Sequence, residues 1–249
     1  MCRMIAAMGD VDAAALREAL REMAANDNPA YVHEKRALGE AYRHEDGWGA
    51  AWISGDTIHV RHSVHSLLED PLAEELDELR TDLLVLHARR ASQSHSVRLE
   101  NTHPFLVEYR GRIWAFCHNG TIQDTQHLRP APGLIKDGDI DSELLFHHLL
   151  HHLDPEDPER SLGEALDRVQ QYTALHSLLV SLDGITAVSR RHPEHGLPDY
   201  HTLWEAEGDR VRVLSSEPVD ALGPLSWQRL PDSAVRFWKR EPSSVLAGR

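Results

Sequence analysis

One of the chain's two cysteines stands at position two. Cys2 is either a small apolar residue of a first strand or, once Met1 is removed, a terminal residue carrying both a thiol and a free α-amine. Such an amine has a pKa near ~8, so part of it is neutral at pH 7–8 and can accept the thiol proton. That arrangement makes a nucleophile that needs no neighbouring histidine. Two further stretches, LHARRAS (86–92) and FCHNGTI (116–122), each run from an apolar segment into polar residues. Groups at such strand ends are displayed on a rigid scaffold. Arg89 suits a carboxylate, held bidentately. Asn119 and Gly120 offer a side-chain amide and a backbone N–H to a developing oxyanion. Read singly, the plainer meanings prevail: Arg89 as a surface ion pair, Asn119-Gly120 as a tight turn.

The elements that must position these groups follow from hydrophobic spacing. Residues 3–8 read as a short apolar strand, and 11–26 as an amphipathic helix with Leu16, Leu20 and Met23 on one face. Strands are expected at 50–53 and 57–62 around a Ser-Gly-Asp turn, a helix at 67–79, a buried strand at 82–88, a loop at 89–102 and a strand at 112–117. Residues 139–154 form a helix with Asp141 as N-cap or first-turn acid, broken by Pro155 and Pro158. A second helix spans 162–172. The remainder is rich in strands, at 175–182, 184–190, 200–206, 211–214 and 235–239. No repeat, linker or break in composition divides the chain, so one domain over residues 1–249 is expected.

Bulk properties narrow the function. With 26 Lys plus Arg against 40 Asp plus Glu, the net charge is −14. That disfavours a nucleic-acid binder or a polybasic membrane anchor and suits action on small molecules. The first apolar run is too short for a signal peptide, and no run approaches a membrane span. Two cysteines give no disulfide framework, which points to a reducing, cytoplasmic setting. His147, His148, His151 and His152 have zinc-compatible i,i+4 spacing, but no third ligand is evident, so a partly exposed, pH-sensitive helix face is expected rather than a metal site. Cys117 and His118 are adjacent in a strand, point to opposite faces and make no dyad. The segment 190–201 reads as a surface connection that could also cover a pocket.

Taken in order, MC, HEDGWGAAW, LHARRAS, ENTHPF, CHNGTI and DSELL resemble the class II glutamine amidotransferases, of the N-terminal-nucleophile hydrolase superfamily. The resemblance implies an α+β fold, an αββα sandwich of two antiparallel sheets between helical layers, with no cofactor. It implies hydrolysis of glutamine or another γ-glutamyl amide through a γ-glutamyl thioester on Cys2, with Asn119 and Gly120 as the oxyanion hole. Arg89 and Ser92 would meet the substrate carboxylate end, Asp141 its α-ammonium, and His103, with Asn101, Thr102 and Pro104, a wall of the pocket. Asp46, Gly47, Trp48 and Gly49 would shape the strand entry near Cys2. No synthase domain fits in this length, so ammonia passes to water or to a separate partner chain. The MCR start is shared with ergothioneine-pathway γ-glutamyl amidohydrolases, whereas ENTHPF and HNGTI look closer to a stand-alone bacterial amidotransferase-like group. Two readings compete: a non-catalytic glutamine-binding module, and a penicillin- or bile-salt-hydrolase-like amidase. The Arg89 and Asp141 pair has no use in the latter.

Overall fold

The computed structural model describes residues 2–39, 41–91, 96–134 and 137–241. Its elements in chain order are β1 (Arg3–Gly9), α1 (Ala13–Ala25), α2 (Glu34–Ala37), β2 (Trp48–Ser54), β3 (Thr57–Ser63), β4 (Leu83–Ala88), β5 (Phe105–Tyr109) and β6 (Arg112–Ile122). There follow α3 (Asp141–His152), α4 (Pro158–Leu166), β7 (Tyr172–Ser181), β8 (Gly184–Ser189), β9 (Trp204–Glu207), β10 (Val211–Ser215), β11 (Trp227–Arg229) and β12 (Ala234–Lys239). The strands form two antiparallel sheets, one ordered β11-β9-β10-β1-β4-β2-β3 and the other β12-β8-β7-β6-β5.

Three apolar layers hold the sheets and helices together. Alternation along β1 sends Ile5 and Ala7 to a cluster with Leu16, Leu20 and Met23 of α1, and Met4, Ala6 and Met8 to the space between the sheets. The second sheet does the same: Phe116 stacks on Phe146 of α3, while Ala115 and Cys117 face inward. The inter-sheet layer mixes large side chains such as Leu83, Leu178, Ile185 and Leu214 with buried Ala6, Ala51, Ala115 and Ala187. Helices thus cover the outer face of each sheet, and the αββα sandwich expected from the resemblance is the observed architecture.

Several elements differ from the sequence reading. The Asn119-Gly120 pair is no turn: neither residue has positive φ, and β6 runs on through both, pairing them with His176 and Leu175 of β7. Pairing across the sheet has overridden local turn preference. The expected 67–79 helix is a 3-10 segment at Pro71–Glu78, whose buried residues Ala73 and Leu76 lie three apart, the spacing a three-residue turn aligns. Pro158 does not merely end a helix; it opens α4 at its first position, capped by Asp157. The short edge strands β5 and β11 were not legible from spacing.

The helix histidines face inward more than expected. His147 and His148 are buried. His148 accepts the Arg129 N–H at Nδ1 (2.8 Å) and donates from Nε2 to the Ala165 carbonyl (3.2 Å), tying α3 to α4. Burial beside His148 pushes His152 down to about 4. Among the described residues no cluster of three or more His, Cys, Asp or Glu could hold a metal ion, and no helix is long and apolar enough to cross a membrane.

Buried neutral histidines also set the acid limit of the fold. Burial holds His87 and His201 near about 3 and His176 near about 4. Above pH 6.5 these rings are neutral in both folded and unfolded chains and leave stability unchanged. Below it the unfolded chain takes up protons that the folded chain refuses, so stability falls until the folded values are reached. The urea midpoint is therefore expected to be level above pH 6.5 and to drop between pH 6.5 and 4, by on the order of 1 kcal/mol per pH unit for each ring. A midpoint constant across that window would show that the rings are charged inside the fold.

Candidate active site

Strand register places Cys2 at the junction of the two sheets. Arg3 lies opposite Ala88 in the β1–β4 ladder, so Cys2 falls beside Arg89 and Arg90. The sulfur receives the Arg90 N–H at 3.4 Å. Asn119 shares its face of β6 with Ala115 and Cys117 and so points between the sheets. Its Oδ1 accepts the Cys2 N–H at 2.8 Å. Its Nδ2 is buried and has no hydrogen-bond partner. The next residue, Gly120, sits where a Cβ would lie 1.8 Å from the Ala174 carbonyl oxygen. Only glycine lets β6 approach β7 so closely there.

A buried network fixes the backbone behind Cys2. Arg3 and Glu217 form an ion pair at 2.7 Å, with both side chains almost fully buried. Arg3 Nη1 donates to the carbonyls of Cys2 and Tyr200, each at 3.4 Å, and its guanidinium lies 4.0 Å over the Tyr200 ring. Asn28 Nδ2 donates to the second Glu217 oxygen at 2.9 Å. A second clamp holds the strand end that carries Arg89. Asp46 donates its N–H to the Arg89 carbonyl (3.0 Å), accepts the Ala91 N–H on Oδ2 (2.8 Å), and Gly47 accepts the Arg89 N–H (2.8 Å). Gly47 adopts φ 115°, and Gly49 lies where a Cβ would meet the His103 carbonyl at 2.1 Å. The expected shaping role of 46–49 thus has a geometric basis.

A cavity of about 280 Å³ brings together Cys2, Arg89, Arg90, His103, Gly120 and Asp141. That is near the lower end of the range for small-molecule sites, about 300–1,000 Å³. Arg89 is only 4% exposed. Its Nη2 donates to Ser96 Oγ at 3.0 Å, and among the described residues no carboxylate lies within 4.0 Å of it. Asp141 is the first residue of α3; the N-cap position is Ile140, which makes no side-chain cap. Asp141 Oδ2 accepts the Ile122 N–H at 2.6 Å, an amide freed by the β-bulge between Gly120 and Ile122. No cation lies within 4.0 Å of Asp141 among the described residues. Asp139, which also lines the cavity, is paired with Arg98 at 2.6 Å, whereas Arg89 and Asp141 face the cavity with no counter-charge from the described residues.

The histidines of the site are neutral and differ in use. His118 donates from Nε2 to the Ala174 carbonyl (3.2 Å), which leaves Nδ1 to accept the Ser142 hydroxyl (2.8 Å). Burial lowers its pKa, opposed by the nearby Asp141 carboxylate. His103 is buried, its ring 4.5 Å from those of His87 and Phe105, and neither nitrogen has a hydrogen-bond partner. Burial, then the neighbouring His87 and His118, drives its pKa well below the ordinary value. Cys117 lies in the inter-sheet core, and burial pushes its thiol up.

Of the residues singled out from sequence, Cys2, Arg89, Gly120, Asp141 and His103 line one cavity, and Asn119 reaches Cys2 from behind it. Ser92 lies outside the described residues. Asn101 instead donates to the Ser96 and Asp139 oxygens and receives the Asp139 N–H, so it braces the loop rather than facing the cavity. Ser96, Ser142 and Arg90 were not singled out, and only Arg90 carried a signal, as the second arginine of LHARRAS. The 190–201 segment does not line the cavity.

Comparison with known proteins agrees with this geometry. The structure resembles a Pseudomonas aeruginosa protein described as a glutamine amidotransferase (TM-score 0.57, 20% identity, 96% of this chain and 97% of that one). It also resembles the Bacillus subtilis glutamine phosphoribosylpyrophosphate amidotransferase (TM-score 0.67, 15% identity), of which it spans 49% of the length and which matches 96% of this chain. These likenesses show the class of fold, a sandwich of two antiparallel sheets with helices on its outer faces. The family model for glutamine amidotransferases class-II matches residues 30–181, and the Escherichia coli YafJ protein, named as a glutamine amidotransferase, is 33% identical over 78% of this chain and 85% of its own. A Haemophilus influenzae protein named the same way is 25% identical over 82% of this chain and 77% of its own. The chain belongs to the class II glutamine amidotransferases, a family that acts on the amide of glutamine.

Gly120→Ala tests the tightness of the β6–β7 contact. The added methyl meets the Ala174 backbone and the His118 ring, which is itself hydrogen-bonded at both nitrogens, so a loss of about 1–3 kcal/mol or more is expected in a denaturant titration. An unchanged midpoint would mean that β6 has room to shift.

Proposed function

We propose that the chain, as a single domain, hydrolyses the side-chain amide of glutamine through a γ-glutamyl thioester on Cys2. One observation carries this reading: an arginine and an aspartate, Arg89 and Asp141, with no counter-charge among the described residues, share a small cavity with Cys2. A free amino acid carries a carboxylate and an ammonium close together, and Arg89 and Asp141 are complementary to that pair. His103, with both ring nitrogens unpartnered, is proposed as a polar wall of the same pocket.

The chemistry follows from the surroundings of Cys2. With Met1 removed, the α-amine takes the thiol proton and the sulfur attacks the substrate's side-chain carbonyl. The oxyanion that develops is met by Asn119 Nδ2 and the Gly120 N–H. Asn119 Oδ1, 2.8 Å from the Cys2 nitrogen, orients the amine so that its lone pair faces the sulfur. The C–N bond breaks, ammonia leaves with the proton returned by the amine, and water cleaves the thioester to glutamate. His118 supports this assignment of the base by default, because both its nitrogens are committed to Ser142 and Ala174. Ammonia is released to water or to a separate acceptor chain.

The test is glutamate release from glutamine, with intact mass recorded for the N-terminus. Cys2→Ala is expected to bring turnover to background while the melting temperature stays within a few degrees, since one small side-chain atom is lost. Glutamate release that survives this change, or full activity with Met1 attached, would overturn the mechanism. Arg89→Ala is expected to act mainly on KM, raising it by the equivalent of about 2–5 kcal/mol for a desolvated charge pair. A pure kcat effect would place the substrate carboxylate elsewhere.

A further inference from the structure

The cavity contains two consecutive arginines, and the proposed chemistry uses the side chain of only the first. Arg90 lines the cavity and gives its backbone N–H to the Cys2 sulfur, and its side chain leads from there to the cavity's edge. The guanidinium lies 3.7 Å over the Tyr42 ring, and Nη1 donates to the Arg43 carbonyl at 2.6 Å. Both holding groups are uncharged. Among the described residues no carboxylate lies within 4.0 Å of Arg90. The acids close by in sequence are otherwise engaged: Glu45 pairs with Arg43 at 2.8 Å, and Asp46 receives the Ala91 N–H. Lys35 Nζ, 4.2 Å from the centre of the Tyr42 ring, adds a second cation to this end. A half-buried guanidinium, fixed in place with donors to spare, is suited to an anion.

Its position says which part of a substrate would carry that anion. Arg89 continues the β2–β4 ladder through its bonds to Asp46 and Gly47, so the chain is extended there and successive side chains diverge. Arg89 turns to Ser96 and Arg90 to Tyr42 and Arg43, with the Cys2 sulfur beside the peptide between them. If Arg89 and Asp141 hold the amino-acid head and the carbonyl sits at the sulfur, the group on the amide nitrogen emerges toward Arg90. Ammonia has no use for a cation there, and a cationic amine would be repelled.

We propose that Arg90 forms a leaving-group subsite for a carboxylate, so that the favoured substrates are γ-glutamyl amino acids or γ-glutamyl peptides. This rests on the amide-hydrolase reading above and names the substrate class of that same site. The bonds balance as before: the sulfur displaces the amine of the departing amino acid, which takes the proton from the terminal ammonium, and water releases glutamate from the thioester.

The experiment compares γ-glutamylglycine with γ-glutamylmethylamide, which differ in the leaving-group carboxylate, and includes glutamine as reference. In the wild type, kcat/KM for γ-glutamylglycine is expected to exceed that for the methylamide by at least about tenfold, the size of one charge-assisted pair. Arg90→Gln should bring that ratio close to one, and Arg90→Lys should retain most of it. A loop-bracing role alone would lower both substrates in proportion and leave the ratio unchanged, which would overturn the subsite, as would a wild-type ratio near one. Turnover of glutamine with neither conjugate cleaved would overturn the subsite and leave the glutaminase reading standing. No glutamate from any of the three would remove both.

Discussion

A buried hydrogen bond joins the two halves of the site. The Cys2 nitrogen reaches Asn119 Oδ1 at 2.8 Å across 117 positions of chain, from the first strand of one sheet to the central part of the other. That distance exists only because the sheets are docked face to face on the apolar layer between them, built from Leu, Ile and Met with alanines interspersed. Arg3 and Glu217 hold β1 from one side, and the β6–β7 contact at Gly120 holds Asn119 from the other. A site built this way depends on the inter-sheet packing more than on any loop. The buried Arg3–Glu217 pair is better read as a positioning device than as a source of stability, since desolvation offsets much of its attraction.

Electrostatics at the site follow from burial. Burial holds His87, His103 and His118 neutral, so among the described residues the positive charge there comes from arginine, whose guanidinium stays protonated at any working pH. His118 spends both nitrogens on the scaffold, linking β6 to α3 and β7. Among the described residues the cavity thus has fixed cationic donors and neutral imidazoles.

Much of this was legible in the sequence, for reasons that differ by residue. Cys2, Arg89 and Asp141 announce themselves through residue type: a thiol at position two, an arginine at the end of an apolar strand, an acid at a helix start. Their convergence in one cavity agrees with the order of the motifs. Asn119 and Gly120 were legible as a pair but not as strand, because local preference favours a turn and only pairing with β7 decides otherwise. Asn101 looked like a pocket wall, yet its amide is consumed by Ser96 and Asp139, partners fixed by tertiary contact. Ser96 and Ser142 gave no signal, since a serine becomes informative only when its partner is known. The inward turn of His147 and His148 was hidden as well, because a histidine pair reads as a polar face until a neighbouring helix covers it.

The distribution of the site over the two layers has a temporal consequence. The sulfur and Arg89 belong to one sheet; Asn119, Gly120 and the bulge that receives Asp141 belong to the other. The strand that carries the sulfur also pairs with β10, where Ile5 faces Ser215. During synthesis the thiol therefore emerges long before its surroundings exist: more than two hundred later residues must follow before the sheets can dock. The cavity arrives only with the completed fold, and a half-folded chain carries this cysteine without the groups that later enclose it.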